Sequence, residues 1–347
     1  MAKEDSVNKF IELRPIYKNL CNKLYLIIQE VLELNKINYH AITYRAKTIE
    51  SFSGKAKKAK YDDPLNQLTD LAGVRIIGYV EDDVIKISNL IEELFEIDLE
   101  NSLDKSKELG VDKVGYKSVH FVGSFSKSRL RLPEYARFKG LKFEIQIRTI
   151  LQHAWAEIEH DKNYKFSGVL PPEIQRRFKV LAGTLELVDR EFNLISKEID
   201  EYSKNVKESA EKGNLDIEIN STSLKQYLET KFSNFVDKGI LEPNFYKPEN
   251  EPLVIEELRN FGINSLSELD KIIGEDIDKY LTDEINNYLG LLRLIMMIFD
   301  SDKYFSKSYN GQWSKLVQEH EDKLEELGIN VDRINENLST EHEKYRK

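Results

Sequence analysis

Apolar residues recur at three- and four-residue steps over residues 8–36: Phe10, Leu13, Tyr17, Leu20, Leu24, Ile27, Ile28 and Val31 fall on one side. That period predicts an amphipathic helix. The pattern then shortens. GVRIIGYV (73–80), VHFVGSF (119–125) and LKFEIQIRT (141–149) are β-branched or alternating runs, which predict strands. Residues 84–97 return to helical spacing. Residues 101–118 read as loop, and so does the basic stretch KSRLRLPEYARFKG between the last two strands. A helix is expected from Ile150 to about Lys165. Pro171-Pro172 then opens a long helix, 173–212, at its first turn. Its apolar positions are Ile174, Phe178, Leu181, Leu185, Val188, Phe192, Ile195, Ile199, Tyr202 and Val206, in alternating steps of four and three, a heptad pattern. Gly213 suits the residue after its end. Beyond it, Pro243, Pro248 and Pro252 cluster in a polar stretch that reads as a linker, and the chain from Leu253 onward reads as helices. Two parts are expected, 1–213 and a mainly helical 214–347.

Charge narrows the function classes. The 347 residues hold 51 Lys and Arg against 61 Asp and Glu, a net charge of −10. A general nucleic-acid coat protein is excluded, although local basic patches remain open. One cysteine, Cys21, leaves no disulfide framework and no cysteine zinc site. The longest apolar run, Leu289 to Phe299, contains Arg293 and is too short to span a bilayer. The start MAKEDSVNKF has no apolar segment of the signal-peptide kind, so a soluble, cytoplasmic protein without a membrane partner is expected.

The strand LKFEIQIRT carries the most chemistry. Strand side chains alternate, so Phe143, Ile145 and Ile147 point to a core while Glu144, Gln146 and Arg148 point the other way together. Such a row is either a functional polar floor or an ordinary solvent-facing side. Asp70 precedes GVRIIGYV, which contains Arg75. If the two strands are neighbours, Asp70 and Glu144 can share Mg²⁺, which takes one or two carboxylates plus substrate phosphates. A turn or cap aspartate is the plainer reading. In the basic run 45–60, Lys47, Ser51 and Lys55 would line one helical face at i, i+4 and i+8, with Arg45 just ahead; a solvated basic face has the same pattern. Tyr116 in GYKSVH (115–120) can stack on a base or simply pack. His153, Glu157, His160 and Tyr164 share a face of the next helix. Their spacing is not the zinc-protease one, and a supporting role is expected.

Taken in order, R-x-K-x-x-x-S-x-x-x-K (45–55), D-L-A-G-V-R-I (70–76), G-Y-K-S-V-H (115–120), E-I-Q-I-R-T (144–149) and W-A-E-I-E-H-x-x-x-Y-K (155–165) resemble the synthetase domain of RelA/SpoT-type pyrophosphokinases. The resemblance covers about residues 38–166. It implies an α/β fold, a nucleotidyltransferase-like mixed sheet flanked by helices, here followed by a mostly helical C-terminal region. It implies transfer of the β,γ-pyrophosphate of ATP to the 3′-hydroxyl of GDP or GTP, making (p)ppGpp, with Mg²⁺ as cofactor. Arg45 and Arg75 would flank adenine. Lys47, Ser51 and Lys55 would hold phosphates. Asp70 and Glu144 would bind Mg²⁺, with Glu144 accepting the hydroxyl proton. Tyr116 would stack on the acceptor base, with His120, Gln146 and Arg148 supporting the acceptor or phosphates.

The chain departs from the long relatives. With 44 residues before Arg45, their hydrolase domain is expected to be absent and the short, synthetase-only type with an added C-terminal region is expected. Some short relatives are toxins that modify the 3′ end of tRNA. Lys127, Arg129, Arg131, Arg137, Lys139 and Lys142 form a basic loop that suits an RNA backbone or, equally, a triphosphate; it keeps that alternative open, with residues 214–347 as a neutralising or sensing segment, although the net negative charge argues against tRNA. A non-enzymatic nucleotide sensor ranks last, because Asp70 and Glu144 are both present. The heptad helix is expected to pack its stripe on the rest of the chain, or else to build a homo-oligomer.

Overall fold

The computed structural model describes residues 2–104, 118–165, 170–281 and 286–345. The chain divides into two compact units, Met1–Lys197 and Glu198–Lys347, each with its own hydrophobic core.

In the first unit, helix α1 (Ala2–Leu34) buries Phe10, Tyr17, Leu20, Leu24, Ile28 and Leu32. All but Leu32 belong to the expected apolar stripe, whose Leu13, Ile27 and Val31 are half-buried. Strand β1 (Ala41–Ala46) leads into α2 (Ile49–Ala56), capped by Thr48, whose side chain accepts from the Ser51 N–H at 3.1 Å. A short turn of helix, α3 (Pro64–Gln67), precedes β2 (Ala72–Gly78). Helix α4 (Glu81–Leu94) and the short strands β3 (Glu96–Ile97) and β4 (Leu103–Asp104) follow. Then come β5 (Val119–Ser124), the turn α5 (Pro133–Ala136), β6 (Phe143–Thr149), α6 (Ile150–Lys165) and α7 (Pro172–Glu211).

The sheet is mixed, in the order β1-β2-β6-β5-β3, with β4 also on β5. Only β2 and β6 are parallel. Strand β6 alternates buried and half-buried positions, with Phe143, Ile145 and Ile147 fully buried, as its sequence predicts. Gly123 lies opposite Phe143, and a side chain there would begin 2.9 Å from the ring, so the close approach of β5 to β6 requires glycine.

Part of the basic loop after β5 is engaged in the fold. The Arg129 guanidinium lies over Phe95, Phe125 and Tyr135, and Lys142 pairs with Asp98 at 2.6 Å.

The long helix corrects one expectation. Within α7 the buried positions up to residue 197 are Ala182, Asp189 and Asn193, whereas Leu181, Val188, Phe192 and Ile195 of the heptad stripe are exposed. The packing face is the small and polar one.

The second unit is built of helices, including Ser221–Lys231, Asn250–Asn260, Leu266–Ile273 and Tyr288–Lys303. Its core includes Leu228, Val254, Leu258, Leu292 and Ile295. The proline-rich stretch is not a linker. Phe245 is buried in that core, the Asn244 carbonyl accepts from Tyr288 N–H at 2.9 Å, and Pro252 sits in the first turn of Asn250–Asn260. Among the described residues, no helix is long and apolar enough to cross a membrane.

Candidate active site

Strand register assembles the site. One lateral row across β1, β2, β6 and β5 is Arg45, Gly73, Glu144 and Val122; the next is Thr43, Arg75, Gln146 and His120. Laterally paired residues share a face. The polar side of β6 therefore faces the same way as Arg45 and Arg75. A cavity of about 290 Å³ opens there, lined among others by Arg45, Lys47, Ser51, Asp70, Gly73, Arg75, Glu144 and Gln146. Gly73 leaves the floor clear between Arg45 and Glu144.

Lys47 lies ahead of α2 rather than on it, because Thr48 caps the helix; the expected one-face row holds only for Ser51 and Lys55. Lys47 is held by its backbone instead. Its N–H donates to Leu71 O at 2.9 Å, and its carbonyl accepts from Arg14 Nε at 3.0 Å. Its ammonium and that of Lys55, the latter at 2.8 Å, both donate to Asp70 Oδ2. Burial pushes the Asp70 carboxyl up, but the two ammoniums outweigh it and hold the group below the usual aspartate range.

Glu144 is built into a second network. Its Oε1 accepts from Gln146 Nε2 at 2.6 Å and lies 3.2 Å from His120 Nδ1. Ser118 Oγ is 2.8 Å from the other ring nitrogen of His120. Burial raises the Glu144 carboxyl; His120 and Gln146 more than offset it, so the group stays below the ordinary glutamate range, against the nearby charge of Asp70.

The far side of the site is cationic. Arg75 donates to Glu157 Oε1 at 2.8 Å, and His153 Nδ1 lies 3.9 Å from the same oxygen. Arg148 Nε and His153 Nδ1 are buried without a hydrogen-bond partner. Burial, then the Arg75 charge, lowers the proton affinity of both. Arg148, His153 and Glu157 are not among the residues that line the cavity. Tyr116 lies outside the described residues, and so does the side chain of His160.

Asp70 and Glu144 line one cavity, and a phosphate-bridged Mg²⁺ needs no more than two protein carboxylates. Among the described residues no trio of His, Cys, Asp or Glu forms a metal cage. The donor set thus fits a hard cation carried with phosphate rather than a zinc-type centre.

The hydrophobic pattern does not predict β1, and so misses Thr43. It also misses Ser118 behind His120 and Arg14 beneath Lys47. The glycine of D-L-A-G-V-R-I at a strand position was the available signal for the clear floor.

Residues 44–169 match the family described as "Region found in RelA / SpoT proteins". The GTP pyrophosphokinase YjbM of Bacillus subtilis (strain 168) is 29% identical over 166 residues, 46% of this chain and 73% of that protein. The GTP pyrophosphokinase YwaC of the same organism is 27% identical over 205 residues, 57% of this chain and 93% of that protein. The crystal structure of small alarmone synthetase 1 from Bacillus subtilis is 25% identical, covers 56% of this chain and 99% of its own, and superposes with a TM-score of 0.47. The matched span runs from within β1 to just past α6 and includes β2, β5 and β6 of the polar floor, so residues 44–169 of this chain are similar to the RelA/SpoT region.

Proposed function

We propose that the chain is an Mg²⁺-dependent ATP:nucleotide 3′-pyrophosphokinase that makes (p)ppGpp from ATP and GDP or GTP. The observation that carries this reading is the convergence of Asp70, Glu144, Lys47, Arg45 and Arg75 on one cavity inside the matched region, with Lys55 bonded to its Asp70. The two GTP pyrophosphokinases of Bacillus subtilis support the same class of reaction.

In this reaction the acceptor's 3′-oxygen bonds to the β-phosphorus of ATP. The bond from that phosphorus to the α–β bridging oxygen breaks, and AMP leaves. Such a transfer needs in-line positioning and neutralised charge more than covalent help. Lys47, Lys55 and Ser51 supply donors for the phosphates, and Arg45 and Arg75 rise from neighbouring strands to flank the adenine. Glu144 is ionised at neutral pH and sits on a rigid strand, as a general base for the 3′-hydroxyl requires. His120 and Gln146 fix its carboxylate. Mg²⁺, held by Asp70 and Glu144, would screen the phosphate charge. Tyr116 is assigned to acceptor stacking, Arg148 to the acceptor or phosphates, and His153, Glu157 and His160 to support.

A nucleotide acceptor is favoured over the tRNA 3′ end, because Arg129 and Lys142 of the basic loop are already engaged in the fold. The test is product analysis with γ-labelled ATP and separate offers of GDP, GTP, ATP and bulk tRNA. Label is expected on GDP or GTP. Label on tRNA alone would replace this reading with the toxin one.

A further inference from the structure

The two lysines of the site meet on one oxygen, Asp70 Oδ2. Lys47 cannot easily leave, because it is almost fully buried and its backbone is tied to Leu71 and Arg14. Lys55 reaches the same oxygen from α2 with its side chain partly exposed. One oxygen of Glu144, Oε1, is likewise engaged by Gln146 and His120. A divalent cation approaching Asp70 therefore meets two ammoniums in hydrogen-bond contact with the atom it needs. Like charges at such distances repel strongly in a partly buried site. A polyphosphate meets the opposite situation: it can take both ammoniums and release the carboxylate in the same exchange.

We propose that Asp70 is the resident counter-anion of the phosphate cradle. It competes with substrate phosphate for Lys47 and Lys55, and its carboxylate becomes free for the metal only when phosphate has taken the lysines. This rests on the reading of the cavity as the ATP site. The nucleotide then binds before the divalent cation or together with it, and the free protein holds no metal at Asp70. A second consequence is that removing the Asp70 charge strengthens binding of a metal-free polyphosphate while abolishing metal-dependent turnover.

The first measurement uses the full, unmodified chain and Mn²⁺, followed by electron paramagnetic resonance. Mn²⁺ alone is expected to stay free, and to become bound when α,β-methylene ATP is added, an analogue in which the bond broken by transfer is blocked. Equal Mn²⁺ binding with and without the analogue would overturn the proposal and leave the functional reading intact. The second measurement is calorimetric titration with inorganic tripolyphosphate in EDTA. Asp70→Asn is expected to bind it about tenfold tighter than the unmodified chain, the equivalent of releasing one charge-assisted hydrogen bond. Lys55→Met is expected to bind it about tenfold more weakly by the same reasoning. Unchanged or weaker binding by a folded Asp70→Asn would overturn the competition. Tripolyphosphate binding indifferent to Lys55→Met, with no Mn²⁺ bound in the presence of the analogue, would overturn both the proposal and the ATP-site reading.

Discussion

The Glu144 carboxylate is held by one partner brought by strand register and one from its own strand. His120 reaches it from β5 and Gln146 from two residues along its own strand. Under the proposed reaction, Glu144→Gln is expected to lower kcat by about 10²–10⁴-fold, the usual worth of a general base, with the circular dichroism spectrum unchanged. Retained turnover in a folded variant would remove Glu144 from that role. Because its carboxyl is held below the ordinary glutamate range, the acid limb of the rate profile is expected below that range too. The same sign applies to stability: Asp70 and Glu144, both depressed, contribute above their unfolded pKa values, and the contribution is lost as pH falls through the folded ones. Gly73 offers a steric test. A Cβ there meets nothing nearer than Arg45 O at 3.7 Å, so the backbone has room for a side chain, which would rise between Arg45 and Glu144. Gly73→Leu is expected to raise the KM for ATP at least about tenfold, as loss of a full binding contact does, without lowering the melting temperature; an unchanged KM would place the nucleotide elsewhere. At this scale the alternation of LKFEIQIRT made Glu144, Gln146 and Arg148 legible as a common face. The Asp70–lysine and Glu144–His120 contacts were not legible, because each joins residues more than ten positions apart, the lysines from α2 and the turn before it and His120 from a paired strand.

The long helix α7 shows how far periodicity carries at the level of an element. Its heptad spacing correctly marks a face but says nothing of what covers that face. The first unit grips a different side, through Asp189 and Asn193. Asp189 Oδ2 accepts from Thr149 Oγ1 at 2.7 Å, at the junction of β6 and α6. Asn193 exchanges hydrogen bonds with Asp82, accepting from its N–H at 2.9 Å and donating to its carboxylate at 3.1 Å. Lys197 adds an ion pair to Asp82 at 3.1 Å. The helix is thereby fixed against the end of the strand that carries Glu144. Asp189 is nearly inaccessible, and burial pushes its carboxyl up to about 6, against the Thr149 hydrogen bond and with help from the charge of Glu81. The linkage sign is opposite to that of the cavity carboxylates. The folded state binds the proton more tightly, so stability falls as pH rises from the ordinary aspartate range through about 6. Asp189→Asn removes the charge and keeps an acceptor for Thr149. It is expected to stabilise the protein at pH 7 by up to about 3 kcal/mol and to flatten that part of the pH profile. Urea unfolding across that pH window checks it, and a parallel, unshifted profile would show that Asp189 is ionised in the folded state. The apolar stripe left outside, with Leu181, Val188, Phe192 and Ile195, is larger than scattered surface residues need to be.

For the whole molecule, the two cores share no residue. The resemblance read from the sequence ends before the second unit begins, and the second unit carries a different kind of interior. There Glu257, almost wholly inaccessible, accepts from Arg293 at 2.9 and 2.5 Å, from Tyr304 OH at 3.2 Å and from Asn310 Nδ2 at 2.7 Å. Nothing in the sequence foretold this network, since the helical pattern of 289–299 marks Arg293 only as a polar interruption. A buried pair that is fully hydrogen-bonded adds little over an apolar equivalent, but removing one partner strands the other charge. Glu257→Ala is therefore expected to cost the second unit about 3–5 kcal/mol. Separate cores imply that the damage stays local. Hydrogen exchange is expected to lose protection in Asn250–Asn260 and Tyr288–Lys303, while the amides of β2 and β6 keep theirs and the nucleotide site keeps its affinity for α,β-methylene ATP. Protection lost from β2 and β6 in the same variant would mean that the two units fold as one cooperative body, and that the stability of the polar floor depends on a carboxylate far outside the region that carries its chemistry.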